Sequence, residues 1–139
     1  MTTIQKSMRI PEDTVEAIEK IAQQKGKDFS TVTKELLDES IRMYRCPGIV
    51  FTEGVNGRRA RIAGSGIEVW EVIACYQSVG KDFTRLKETF HWISEFQLRT
   101  ALSYYQAYPE EIDRLISQND SWNQDSVYRR FPFLAGSGA

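Results

Sequence analysis

The sequence predicts a mainly α-helical chain with short β segments, divided into two units of different character. Residues 3–10 alternate in polarity and run straight into a proline-led amphipathic helix. Two helical apolar stripes share residues 11–45, too little chain to enclose a core alone. After a Cys46-Pro47-Gly48 stop, a glycine-bracketed turn and three or four short helical segments fill residues 49–118.

Each element has a local cause. Ile4, Met8 and Ile10 fall on one side of the opening segment and Gln5, Ser7 and Arg9 on the other, the period of a strand with one buried face. Lys6 interrupts the apolar side. Pro11 suits the first position of a helix, and Glu12 and Asp13 suit the positive end of its dipole. Val15, Ile18, Ile21 and Ala22 share a helical face, and Gly26 is placed to cap it. A second helix starts near Asp28 or Phe29 and carries Phe29, Val32, Leu36, Leu37, Ser40 and Tyr44 along one side, with Ile41 beside them. Pro47 ends it.

In the second unit, residues 60–63 and 67–69 flank Gly64-Ser65-Gly66 and read as a β-hairpin. A helix from Trp70 runs towards Gly80. Asp82 is placed to cap the next helix, whose Phe83, Leu86 and Phe90 face inward. Ser94 and Gln97 form a capping-box pattern before Leu98, Ala101, Leu102 and Tyr105. Pro109 opens a last helix with Ile112, Leu115 and Ile116.

Composition narrows the function. With 41% hydrophobic and 27% charged residues the chain is globular, and no apolar run approaches the ~20 residues a membrane-spanning helix needs. The expected compartment is the cytoplasm. A net charge of −1 carries no nucleic-acid signal, so DNA binding must come from local geometry. Cys46 and Cys75 lie far apart outside any CxxC pair and read as reduced thiols. No metal or cofactor is expected. His91 reads as structural, Trp70, Trp92 and Trp122 as core or interface anchors, and Glu110, Glu111 and Asp113 as a solvated face. Ser65 lacks a nucleophile-elbow context, and its turn lacks the Lys-Ser or Lys-Thr of a phosphate loop. No catalytic constellation emerges, and an enzyme is not expected.

The first 46 residues pose a packing problem: a lone strand has two unpaired edges, and two helices cannot cover their own stripes. A second copy solves it by pairing the strands antiparallel into a ribbon that fits the major groove. Here Ser7-Met8-Arg9-Ile10-Pro11, the following amphipathic helix, Gly26-Lys27-Asp28 and Phe29-Ser30-Thr31 resemble the ribbon-helix-helix repressors of the Arc and MetJ type. The resemblance covers about a third of the chain and implies an intertwined homodimer, or a higher homo-oligomer, on double-stranded operator DNA. It implies base contacts from Gln5, Ser7 and Arg9 and phosphate contacts at Phe29, Ser30 and Thr31. The chemistry agrees, since Arg grips guanine and Gln adenine with two hydrogen bonds each.

Gly57-Arg58-Arg59-Ala60-Arg61-Ile62-Ala63-Gly64-Ser65-Gly66-Ile67-Glu68-Val69-Trp70 is similar to the opening of a bacterial antitoxin domain of unknown function. The similarity continues through Gly80, Leu86, Phe90, Ser94-Glu95-Phe96-Gln97-Leu98, Ala101-Leu102 and Tyr104-Tyr105. Many members carry Thr-Arg where this chain has Ser65-Gly66. The resemblance implies a helix-turn-helix-like module encoded beside a toxin of PIN-like ribonuclease fold. Two readings are open for it. One is a second DNA contact, with Glu95 and Gln97 on a recognition helix and Arg58, Arg59 and Arg61 on phosphates. The other is a platform for dimerisation or toxin docking.

Residues 119–139 read as a flexible tail whose Trp122, Tyr128, Arg129, Arg130, Phe131 and Phe133 have the make-up of interface anchors. By family implication, Arg129 or Arg130 would enter the toxin's acidic pocket. Phe131, Phe133 and Leu134 folding back on the second core is the competing reading. The expected function is a DNA-binding antitoxin that represses its own operon and neutralises a PIN-like toxin. The alternatives are a stand-alone regulator whose second domain senses a ligand or partner, and a protein-binding adaptor.

Overall fold

The structure is a computed structural model, and it describes residues 2–54 and 57–119. Among these residues the fold is mainly helical, with six helices and one two-stranded antiparallel sheet. The elements run α1 (Glu12–Lys25), α2 (Phe29–Arg45), β1 (Ile49–Gly54), β2 (Gly57–Ile62), α3 (Val69–Ser78), α4 (Phe83–Thr89), α5 (Glu95–Ala107) and α6 (Pro109–Gln118). The chain forms two compact units, Met1–Ile41 and Arg42–Ala139.

In the first unit, α1 begins one residue later than expected. Pro11 is extended at φ −55°, ψ 144° and serves as the N-cap, and its carbonyl accepts from the Thr14 and Val15 amides. At the other end Gly26 takes φ +65°, a left-handed cap that frees the chain to turn into α2. The start of α2 is fixed by Asp28, whose Oδ1 accepts the Thr31 amide at 2.7 Å. Hydrogen bonds from Thr31 hold the Asp28 carboxyl below the usual carboxylate range, because they favour its charged form.

This unit's core is small. Among the described residues, only Ile18, Ala22 and Val32 are buried hydrophobics there, with Ile21 and Phe29 packed against them. Residues 3–10 are neither helix nor strand here, a departure from the alternation in the sequence. Its physical reason is that a strand needs a neighbouring strand to complete its ladder, and the single chain offers none among the described residues of this unit. The segment is not tucked into the fold: Ile4 is 78% and Met8 74% exposed.

The second unit has a full core of its own. Ile49, Phe51, Ala60 and Ile62 form the inner face of the hairpin, with Ile49 opposite Ile62 and Phe51 opposite Ala60. They pack with Ile67, Val69, Val72, Ile73, Leu86, Phe90, Leu98, Ala101, Tyr104 and Ile112. Gly48 stands at φ +97° under α5, where a Cβ would come within 3.2 Å of the Thr100 methyl. That close approach lets β1 start directly against the helix.

The hairpin differs from the one expected. Its strands are 49–54 and 57–62, whereas 67–69 contributes only an isolated Arg61–Glu68 bridge before α3 begins. The Gly64-Ser65-Gly66 turn does fold back: the Ile62 amide donates to the Ile67 carbonyl at 2.9 Å, and Ser65 Oγ accepts the Ile67 amide at 3.0 Å. A helix starting at Val69 leaves that arm too short to form a ladder.

Helix ends in this unit follow their sequence cues. Asp82 accepts from the Thr84 and Arg85 amides, Ser94 and Gln97 close a reciprocal capping box, and Pro109 opens α6. Cys46 and Cys75 are buried free thiols, and burial pushes the Cys75 thiol up to about 11. Burial raises the Cys46 thiol as well, and so favours the protonated form of both.

Two outcomes test these assignments. Phe90→Ala should destabilise the protein by about 3–5 kcal/mol in chemical denaturation, since the side chain is fully buried; a change under about 1 kcal/mol contradicts the core assignment. Asp28→Ala should lower the thermal midpoint at pH 7. A depressed folded-state pKa stabilises above the unfolded aspartate value of about 3.9, and the effect fades as pH falls through the folded value. The difference from wild type should close in strong acid, and a pH-independent difference would contradict the capping role.

Candidate nucleic-acid and partner surfaces

In the first unit the side chains expected to read bases are all in solvent. Gln5, Ser7 and Arg9 are exposed, and among the described residues Lys6 and Arg9 have no ion-pair partner. At the start of α2, Phe29 is half-buried against the small core, while Ser30 and Thr31 are exposed. The Thr31 amide is already taken by Asp28, so a phosphate here would meet the Phe29 and Ser30 amides instead. Farther along α2, Leu37 is 56% and Ile41 50% exposed, and Leu36 is also exposed.

The arginines of the hairpin are engaged within the second unit. Arg58 donates to the Phe51 carbonyl at 3.0 Å and lies 3.5 Å from Glu53. Arg59 pairs with the buried Glu68 at 3.7 Å. Arg61 donates to the Gly66 carbonyl at 3.4 Å. A phosphate reaching this strand would compete with these interactions. At the start of α5 the same holds: Glu95 accepts two bonds from Arg99, and Gln97 completes the capping box and reaches the Ala63 carbonyl at 3.4 Å. The Arg99 bonds and the nearby Lys87 hold the Glu95 carboxyl below its usual range.

One network was not legible in the sequence. Arg42 Nη1 donates to Tyr104 Oη at 2.9 Å and to Glu111 Oε1 at 2.6 Å, and Tyr104 donates to Glu111 Oε2 at 2.5 Å. The Arg42 guanidinium also stacks 4.4 Å from the Tyr108 ring. Burial, reinforced by the Glu111 carboxylate, pushes the Tyr104 hydroxyl well above the ordinary tyrosine range, so it stays a donor. Glu111 therefore does not belong to a solvated face. Glu110 and Asp113 are exposed as expected of a solvated face, and Asp113 also accepts the Tyr105 hydroxyl at 2.6 Å. The i,i+7 spacing of Tyr104 and Glu111 spans a helix break at Tyr108, which hides the pair from a one-helix pattern.

The lone histidine, His91, is exposed with its ring edge-on to Trp92, and Trp70 is buried in the core. Among the described residues, no group of three or more His, Cys, Asp or Glu is placed to hold a metal ion, and no helix is long and apolar enough to cross a membrane. Trp122, Tyr128, Arg129, Arg130, Phe131 and Phe133 lie outside the described residues.

A groove of about 480 Å³ lies in the second unit between Arg45, Cys46 and Pro47 on one side and Phe96, Arg99, Thr100 and Ser103 of α5 on the other. Phe96 is 72% exposed on its rim. A second hollow of about 450 Å³ lies beside the Arg42 network, lined by Tyr108, Pro109, Glu110 and Arg114 among others.

Comparison with known proteins bears on the second unit. No curated protein and no solved structure matches the chain. Residues 49–105, from the first strand through most of α5, match the model of a family described as a protein of unknown function, DUF433.

Proposed function

We propose that this chain is the DNA-binding antitoxin of a type II toxin-antitoxin pair: a homodimer that represses its own operon and neutralises a PIN-like ribonuclease. One observation carries the reading. Among its described residues, the first unit buries three hydrophobic side chains and leaves Ile4, Met8, Leu36, Leu37 and Ile41 in solvent. A unit of this size with so small a core needs a partner. A second copy of the same unit supplies one, because antiparallel pairing of two 3–10 segments gives each strand its missing ladder.

Pairing by the face of Ile4 and Met8 turns Gln5, Ser7 and Arg9 outward, where two strands side by side fit the major groove. The resemblance to ribbon-helix-helix repressors supports this assignment. In the second unit, Arg58, Arg59, Arg61, Glu95 and Gln97 already have intramolecular partners. That favours toxin docking over a second DNA contact for this half of the chain. The arginine and aromatic content of residues 128–133 suits the same role.

Arg9→Ala combined with Gln5→Ala should weaken binding to the DNA upstream of its own gene by about tenfold or more for each of the two side chains removed. Sedimentation should still give twice the 16.0 kDa chain mass. Unchanged gel shifts would remove the strand as the reader. A wild-type mass of a single chain would remove the dimer.

A further inference from the structure

The groove between the end of α2 and α5 has features of a built socket. Cys46, Pro47 and Thr100 line it, and the Thr100 hydroxyl donates to the Phe96 carbonyl at 2.9 Å, so its polar atom is already engaged. Phe96 stands open at the rim, although Phe51, Phe83 and Phe90 of the same unit are all packed into its core. A large aromatic left in solvent beside an apolar hollow is characteristic of an interface anchor. The volume is in the range of sites that enclose a small group.

Charge decides the occupant. Two guanidiniums, Arg45 and Arg99, line the groove, and among the described residues no carboxylate does. Arg99 is committed: it donates twice to Glu95 and its guanidinium stacks 4.3 Å from the Phe83 ring. Arg45 is exposed and has no ion-pair partner among the described residues. The site therefore offers one apolar hollow and one uncompensated cation. A nucleic-acid strand would bring several phosphates to a single free arginine with Glu95 close by, a poor match for a backbone that needs a track of cations.

We propose that this groove docks a segment of a protein partner, taking one apolar side chain into the hollow and one neighbouring carboxylate onto Arg45. The inference rests on the second unit being the partner-binding half and is independent of DNA reading by the first. Its test uses peptides and no operator DNA, so failure here leaves the DNA reading standing.

The test is an amide NMR titration of the full chain with an acetylated, amidated leucine-glutamate dipeptide. Parallel titrations use a leucine-lysine dipeptide, a serine-glutamate dipeptide and a short oligothymidylate. The expected result is shift changes clustered at Arg45, Phe96, Arg99 and Ser103 with the leucine-glutamate probe, at least about tenfold weaker with either altered dipeptide. Arg45→Glu should reverse the preference towards the lysine probe, and Phe96→Ala should weaken both. Both positions are exposed, so the variants should keep the wild-type thermal midpoint. Absence of groove shifts at millimolar peptide, equal binding by Arg45→Glu, or stronger binding of oligothymidylate at these residues would overturn the proposal.

Discussion

The constraint on which the rest depends is an unfilled one: the first unit has an apolar strip and a strand-forming segment that none of its described residues covers. Ile18, Ala22 and Val32 close the contact between α1 and α2. They leave Leu37 and Ile41 of α2 facing water together with Ile4 and Met8. Exposed single hydrophobics are ordinary on protein surfaces, but this many beside so small a core are not. Association of two copies, as proposed above, would cover that strip and leave the polar side of residues 3–10 as one surface.

The second unit obeys the opposite logic. Its hairpin and four helices enclose a continuous core, and its polar groups are largely satisfied internally, from the Ser94–Gln97 capping box to the Arg42–Tyr104–Glu111 network. A unit complete in itself has no need of a second copy to fold, so what remains unsatisfied on it is informative. Phe96 and Arg45 are two such residues, and both line one groove. On the reading proposed above, the two halves divide the work: the first is completed by a second copy, and the second carries a surface for a protein partner.

Helices were legible in the sequence because their signals are local. Glycine after α1, Asp82 and Ser94 with Gln97 each act within one turn of themselves and the structure keeps these caps, while Pro11 moves from the expected first helical position to the N-cap and Asp28 caps the α2 start it was expected to mark. The hairpin was harder. Ile67-Glu68-Val69 alternates like a strand, but the start of α3 at Val69 ends it, while the strand at 49–54 reads as a plain apolar start. Gln5, Ser7 and Arg9 are exposed as the alternation predicts, but Ile4 and Met8 on the other side are exposed as well, so within one chain the alternation singles out no site. The engagement of Arg59 by Glu68 and of Arg42 by Glu111 joins residues distant in sequence, and no periodicity reports it.

The most direct measurement on the central claim is an isotope-filtered NOE experiment on a mixture of labelled and unlabelled chains. It reports only contacts between copies. Antiparallel pairing of the first strands predicts intermolecular contacts among residues 3–10, and between Ile4 or Met8 and the Leu37–Ile41 face of the other copy. A spectrum in which residues 3–10 show contacts only within their own chain would contradict the account.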